Sequence, residues 1–206
     1  MTDTAYPPAP VPAGHPPAGP VRFAPLPVGG ALLLAAAVEP AAIADPLGAL
    51  LDLPVPRRPW QVVRTGPRTL CWLSPRSWLL LCDEAEEADI AARVRDIFPD
   101  RRLHACAQSS RLSLHRLHGD GAEDLLRQLG FLSLAPGGIP VGGFRRTLLA
   151  GEPTLIWRTG PDDWHLGVDR DKARHLHGWL ARLLGADPAA TATPAAPGRS
   201  EERARP

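Results

Sequence analysis

Apolar and polar positions along this chain alternate between a period of two, typical of strands, and a period near 3.6, typical of helices. The first clear period-two segments are TLCWL (69–73) and WLLLC (78–82), which are apolar on both faces. Between them lies SPRS (74–77), and its proline suits a turn because the ring already restricts φ. This pattern predicts a buried β-hairpin with a tryptophan on each side of the turn.

The segment IWRTGPDDWHLGV (156–168) repeats this arrangement, with TGPDD (159–163) as a turn that is one residue longer. In its second strand His165 and Gly167 share one face, so this strand is predicted to be half-buried. The opposite, apolar face consists of Trp164, Leu166 and Val168.

An amphipathic helix is predicted after each hairpin. The first follows Asp83 as its N-cap, has acidic residues in its first turn and stops at Pro99. The second covers residues 171–184. The predicted apolar stripes are Ile90, Val94, Ile97 and Phe98 in the first helix, and Ala173, Leu176, Leu180 and Leu183 in the second.

A strand and a short helix are predicted before the first hairpin. The strand is ALLLAAAV (31–38), and the helix is DPLGALL (45–51). Asp45 is its predicted N-cap, and Pro46 occupies the first helical position, where a missing N–H costs nothing.

The same pair is predicted before the second hairpin. RLSLHRL (111–117) forms the strand, and the helix after it is capped by Asp120, with Glu123 in the capping-box position and an end near Gly130. Its apolar stripe consists of Ala122, Leu125, Leu126 and Leu129.

The order strand, helix, hairpin, helix therefore occurs twice, in half-domains of about 28–105 and 106–184. Neither half is large enough to cover the apolar faces of its helices alone, so the two are predicted to pack as one pseudo-symmetric body over 21–184. The predicted fold class is α+β, with antiparallel sheets in a ferredoxin-like arrangement. A Pro-rich leader (1–20) and a tail (185–206) are predicted to be disordered, because they offer little apolar surface to offset the entropy of ordering.

Composition and charge exclude several classes of protein. The chain has 206 residues, 44% of them apolar, and a net charge of +1, so it lacks the basic excess that binding to nucleic acid or a membrane surface requires. The apolar run VGGALLLAAAV (28–38) is too short to span a bilayer, and the leader lacks the basic start of a signal peptide. Cys71, Cys82 and Cys106 form neither a CxxC pair nor an even set, which favours a cytoplasmic protein without disulfides.

The tryptophans are predicted to supply core area, since large aromatic side chains pack across strands. Two functional alternatives remain open: some of them line a groove for a flat ring such as a pterin or flavin, or anchor a partner subunit. The six are Trp60, Trp72, Trp78, Trp157, Trp164 and Trp179.

Candidate chemistry is sparse, and we assign no catalytic, cofactor-binding or metal-binding residue. His115 and His118 lie at odd spacing on a strand, and His175 and His177 are two apart on a helix, so neither pair converges on a metal. All four are predicted to be surface histidines.

Other motifs also lack the context that their chemistry needs. GGIPVGG (137–143) precedes a strand-like run rather than a helix, so it is not a dinucleotide fingerprint, and Ser109-Ser110 lacks the GxSxG context of a nucleophile. The paired acids are predicted to be solvated turn and capping residues: Glu86, Glu87, Asp162 and Asp163. Three arginines either hold an anion or, as we favour, protect strand edges from aggregation: Arg111, Arg145 and Arg146.

Several blocks of the sequence resemble, in order, the gamma subunit of heterotetrameric sarcosine oxidase. They are LPVPRRPW, TGPRTLCWLSPRSWLLLCDE, SSRLSLHRLHGDGAEDLLRQLGFLSL, VGGFRRTLLAGEPTLIWRTGPDDWHLGV and RHLHGWLARLL. The resemblance covers about residues 47–184. That family is related in fold to the folate-binding region of the glycine-cleavage aminomethyltransferase (T protein), which agrees with the two-unit pattern.

The resemblance implies a non-catalytic subunit that contributes to assembly and stability. In such an enzyme the alpha and beta subunits would carry flavins, NAD and the folate site, and a small delta subunit would bind zinc, while this chain would bind no cofactor of its own. The complex would oxidise sarcosine to glycine and pass a one-carbon unit to tetrahydrofolate.

Three alternatives remain open. In the first, the complex acts on another N-methylated amine. In the second, the chain is a stand-alone folate-binding protein of one-carbon transfer, and in the third it is an interaction module with a different partner. A folate protein needs a pterin slot and a carboxylate that hydrogen-bonds the ring.

Overall fold

The computed structural model describes residues 19–130 and 138–185, so most of the leader and tail lie outside the described residues. Ten strands form two five-stranded antiparallel sheets within this part of the chain, and four α-helices accompany them. This architecture confirms the predicted α+β class. The spatial order of the strands is equivalent in the two sheets.

The first sheet has the strand order β3-β4-β5-β2-β6. The hairpin β4–β5 lies at its centre and matches the strand pair predicted there. Two helices, α1 and α2, cover one face of this sheet. The elements are β2 (Gly30–Ala36), α1 (Ala44–Leu51), β3 (Val62–Thr65), β4 (Arg68–Ser74), β5 (Ser77–Cys82), α2 (Glu84–Ile97) and β6 (Leu103–Ala107).

The second sheet has the order β1-β7-β10-β9-β8. Its hairpin is β9–β10, and α3 and α4 cover its outer face. The elements are β1 (Arg22–Leu26), β7 (Leu112–His118), α3 (Ala122–Gln128), β8 (Phe144–Leu149), β9 (Glu152–Gly160), β10 (Asp163–Asp169) and α4 (Arg170–Leu183).

The last strand of each sheet comes from a different part of the chain. In the first sheet, β6 follows α2 and pairs with β2. In the second sheet the equivalent place beside β7 is taken by β1, which comes from the start of the described chain. The apolar pattern did not predict β1, because only Phe23 and Leu26 of this short strand are even partly buried.

Three apolar clusters hold the layers together. One lies between α1, α2 and the first sheet, and a second lies between α3, α4 and the second sheet. A third contains residues of both sheets and none of the helices, so the two sheets pack face to face. Its buried members are Ala31, Cys71, Leu79, Leu112, Leu114, Phe144 and Trp157.

The two hairpin turns have the same length, which corrects the prediction that the second is longer. Ser74 pairs with Ser77 across the first turn, and Gly160 pairs with Asp163 across the second, so two residues connect the strands in both. Each hairpin also has a register shift beside its turn. The additional residue that was counted in the predicted second turn is accommodated by the bulge in the strand rather than by a longer turn.

Several predicted helix ends were wrong by one or two positions. The N-cap of α3 is Gly121 rather than Asp120, so the predicted capping box does not form, and Asp45 lies inside the first turn of α1, whose N-cap is Ile43. Asp83 does precede α2, as predicted. Ile97 is 42% exposed although it was assigned to the apolar stripe, because α2 ends there and the chain turns away at Phe98.

The equivalent tryptophans of the two hairpins, Trp78 and Trp164, are both fully buried but differ in one hydrogen bond. The Trp78 indole Nε1–H donates to the buried carbonyl of Pro56 at 2.8 Å. Trp164 Nε1 has no hydrogen-bond partner among the described residues, and the Arg158 guanidinium lies 4.9 Å from the centre of its ring. A comparison of substitutions at the two positions therefore separates the contribution of the indole hydrogen bond to stability from the contribution of packing.

We predict that Trp78→Phe lowers the free energy of unfolding by about 1–3 kcal/mol more than Trp164→Phe does, because only the first leaves a buried carbonyl without its donor. Both substitutions remove the same atoms from a full core, so their cavity costs are comparable. Urea unfolding of the two variants measures the difference as a shift in midpoint at constant slope. Equal losses would show that the Pro56 hydrogen bond adds no net stability.

Candidate functional site

The tryptophans differ sharply in exposure. Trp78, Trp157 and Trp164 are buried, as predicted for core residues. Trp72 and Trp179 are half-buried. Trp60 departs from the prediction, since 43% of its surface is exposed.

Trp60 is exposed but firmly held. Its carbonyl accepts a hydrogen bond from the Phe144 N–H at 3.1 Å, which ties the segment before β3 to the edge strand β8. Its φ of 69° lies in the left-handed region, which is strained for a bulky residue. The Arg145 guanidinium lies 4.4 Å from the ring centroid, a cation–π contact.

A small cavity of about 270 Å³ lies beside this segment. It is bordered by Val62, two residues after Trp60, and by Val141, which is 56% exposed. Arg64 and Arg158 also border it. This part of the surface therefore combines exposed apolar side chains with arginines.

A second cavity, of about 430 Å³, lies between the two sheets. Arg111 and Arg146 both border it, so the structure brings together two of the three arginines considered as an anion site. Arg145 contacts Trp60 instead. Arg111 is bound to Asp169 at 3.0 Å. The apolar walls include Leu33, Leu73, Leu79, Leu112, Leu155 and Val168.

His115 is buried and His177 is half-buried, and the two rings contact each other, which corrects the prediction that both are surface residues. His115 Nδ1 and His177 Nε2 are 3.1 Å apart, and Ser113 Oγ lies 3.1 Å from His115 Nε2. The Phe23 ring stacks on His115 with 5.1 Å between centroids and meets His177 edge-on at 4.8 Å. The pair thus joins β1, β7 and α4, three elements that are far apart in sequence.

Burial sets the charge state of this pair. His115 is 2% exposed, and desolvation, together with the charge of His177, lowers its pKa to about 4. Desolvation also lowers the pKa of His177. At neutral pH both rings are therefore uncharged. One of the two facing nitrogens carries a hydrogen and donates a hydrogen bond to the other. Within the described residues, no group of three or more metal-ligating side chains occurs.

One acid of each predicted pair binds an arginine. Arg116 binds both oxygens of Asp163, at 2.8 and 2.7 Å, and this contact lowers the pKa of the Asp163 carboxyl. Glu86 forms an ion pair with Arg68, which likewise lowers its pKa. These contacts link neighbouring elements, as salt bridges at the rim of a fold do.

The three cysteines are free thiols in different environments. Burial raises the pKa of Cys71 to about 12 and that of Cys82 to about 11. Cys106 is exposed on the edge strand β6. None of the described helices is long and apolar enough to cross a membrane.

Solved structures with this fold include a subunit of an oxidase complex. The heterotetrameric sarcosine oxidase from Corynebacterium sp. U-96 in complex with pyrrole 2-carboxylate contains a chain that aligns with a TM-score of 0.70 and 22% identity, covering 85% of this chain and 88% of that one. The glycine cleavage system aminomethyltransferase T from Bartonella henselae aligns with a TM-score of 0.54 and 16% identity, over 81% of this chain and 46% of that one. The aminomethyltransferase-like fold is thereby confirmed.

The family follows from sequence. The model of the "Sarcosine oxidase, gamma subunit family" matches residues 34–185. The "Sarcosine oxidase subunit gamma" of Corynebacterium sp. (strain P-1) is 29% identical over 109 residues, 53% of this chain and 53% of the relative, so the match spans about half the length of that curated relative. This chain belongs to the sarcosine oxidase gamma subunit family.

We predict that stability falls as the pH drops from about 6.5 to about 4, by on the order of 2–3 kcal/mol from His115. The sign follows from the lowered pKa: in this window the unfolded histidine binds a proton that the folded one does not. His115→Gln is expected to flatten this part of the curve, whereas His175→Gln, at an exposed position of α4, leaves it steep. Urea midpoints at a series of pH values test this, and an equally steep His115→Gln curve would contradict it.

We predict that Ellman's reagent modifies one thiol in the native protein and three after unfolding, because the thiolate is the reactive form and only Cys106 is accessible. Cys106→Ser is expected to remove the native reaction while two thiols still react in denaturant. Rapid reaction of a second native thiol would show that Cys71 or Cys82 becomes exposed without global unfolding.

Proposed function

We propose that this chain is the non-catalytic gamma subunit of a heterotetrameric, flavin-dependent sarcosine oxidase. Its role is assembly and stability of a complex that oxidises sarcosine to glycine and passes the one-carbon unit to tetrahydrofolate. The match of the gamma subunit family over residues 34–185 carries this proposal. The shared fold with a chain of a heterotetrameric sarcosine oxidase supports it.

The contacts of the candidate residues also support a packing role. Asp163 is bound to Arg116, Glu86 to Arg68 and Arg111 to Asp169. The histidine pair joins α4 to β1 and β7 rather than facing an open cleft. These carboxylates, arginines and histidines thus hold elements of this chain together.

The proposal places the cofactors and the chemistry in partner subunits. The alpha, beta and delta subunits would supply flavins, NAD, the tetrahydrofolate site and zinc, and the complex would work in the cytoplasm. This chain would bind no cofactor itself.

The alternative, a stand-alone folate-binding protein of one-carbon transfer, depends on the 430 Å³ cavity. Its volume falls in the usual range of about 300–1,000 Å³ for ligand sites, and Arg146 offers a contact for a carboxylate. Asp169, the carboxylate beside it, is already bound to Arg111, and this weakens the case for pterin recognition. Calorimetric titration of the purified chain with tetrahydrofolate, with Arg146→Ala as control, separates the two functions.

We predict that the tagged chain, purified from its native cells at moderate salt, brings down larger subunits with flavin absorbance bands and sarcosine oxidase activity. The chain purified alone is expected to be colourless and inactive, because the flavins belong to the partners. The control is the same purification with an untagged chain. A colourless chain that is recovered without flavin-containing subunits would overturn the proposed function.

A further inference from the structure

We propose that the surface around Trp60 docks onto a face of a larger subunit of the oxidase that is apolar at its centre and carries acidic side chains around it. We call it the Trp60 surface and define it by Arg58, Trp60, Arg64, Val141 and Arg145. This inference rests on the proposed function, because it assumes that the larger subunits exist. Beyond the proposed function, the inference names the surface of this chain that contacts the larger subunits and the kind of side chains that those subunits present to it.

Trp60 is already held in place before any partner binds. Its carbonyl is bonded to Phe144 of the second sheet, and the next carbonyl, that of Gln61, accepts from the Trp72 N–H of the first sheet at 3.0 Å. The Gln61 side chain also accepts from the N–H groups of Arg57 and Arg58. Hydrogen bonds to both sheets therefore fix the backbone that carries this exposed aromatic side chain, and little backbone entropy is lost when a partner covers it.

The exposure of Trp60 is costly for an isolated chain. A half-exposed indole forgoes part of its burial free energy, and the left-handed φ adds strain. Val141, at 56% exposure, extends the apolar area, and the adjoining 270 Å³ cavity offers a recess for a partner side chain. Exposed apolar area that is rimmed by polar groups is typical of protein–protein interfaces.

The charge of the Trp60 surface specifies the partner. Arg58, Arg64 and Arg145 form no ion pair with a carboxylate of the described residues. The whole chain has a net charge of only +1, so these arginines are a local excess. Tryptophan and arginine are the residues that dominate binding energy at interfaces, and carboxylates on the partner would complement the guanidinium groups.

The position at two sheet edges limits how the partner binds. β3 and β8 are edge strands of the described sheets, and Trp60 O bonded to Phe144 N joins them on one side of the molecule. Arg64 lies on β3 and Arg145 on β8. Charged side chains on edges oppose the addition of another strand, so the partner is expected to contact side chains rather than extend a sheet.

A competition experiment in the native cells tests this inference. A tagged variant is expressed in equal amount with a differently tagged wild-type chain, and the ratio of the two tags is measured in the purified flavin-containing complex. Trp60→Ala is expected to enter at least about 30-fold less than the wild type, the loss expected for an interface hot spot. Its matched control is Ile97→Ala, since Ile97 is 42% exposed on α2 and should compete within about 2-fold.

Charge reversal gives a second, independent readout that does not depend on the tryptophan. The double variant Arg58→Glu/Arg145→Glu is expected to be about 10-fold or more less abundant than the wild type in the complex at low salt. The difference should shrink as salt rises, because screening weakens the repulsion between the new glutamates and the carboxylates of the partner. Arg95→Glu/Arg174→Glu, at exposed sites on α2 and α4, is the control and should compete nearly equally. Thermal unfolding confirms that each variant is folded.

The outcomes distinguish the inference from the function on which it rests. If the wild-type chain enters a flavin-containing complex and both Trp60-surface variants compete equally with it, the docking surface is wrong and the function stands. If the wild-type chain enters no such complex, the proposed function itself fails. Selective exclusion of both variants, with their controls retained, establishes the surface.

Discussion

The face-to-face packing of the two sheets is the interaction on which the rest of the structure depends. Each sheet is covered by helices on its outer face, so its inner face is protected from water only by the other sheet. Central strands of the first sheet are consequently apolar on two faces, as TLCWL and WLLLC show. Neither half has a free face, and the two must fold as one body.

The repeat also explains where the fifth strand of each sheet comes from. Each unit runs strand, helix, three-stranded meander, helix, and each sheet takes a fifth strand beside the first strand of its unit. The first unit obtains this strand from its own continuation, β6, whereas the second obtains β1 from the start of the described chain. Phe23 of β1 then packs on the His115–His177 pair, so closure of the second sheet and burial of the histidines occur together.

The candidate site was only partly predictable. Trp60 lies outside every predicted helix and strand, in the segment LPVPRRPW, and this is the one local signal that separates it from the buried tryptophans. Its backbone is held by a hydrogen bond to Phe144, which is 84 positions later in the sequence. Likewise, local spacing assigns His115 and His177 to separate surface pairs, whereas their contact joins residues that are 62 positions apart.

Apart from the strands β1, β3 and β6, the sequence by itself predicted the element types, both hairpins, the α+β class and the family. These features depend on short-range periodicity, on turn residues and on blocks of residues in order. Tertiary structure decided which side chains meet: the length of the second turn, the N-cap of α3, the pairing of β1 and the exposure of Trp60. These depend on contacts between distant segments, and periodicity carries no information about which distant element covers a given face.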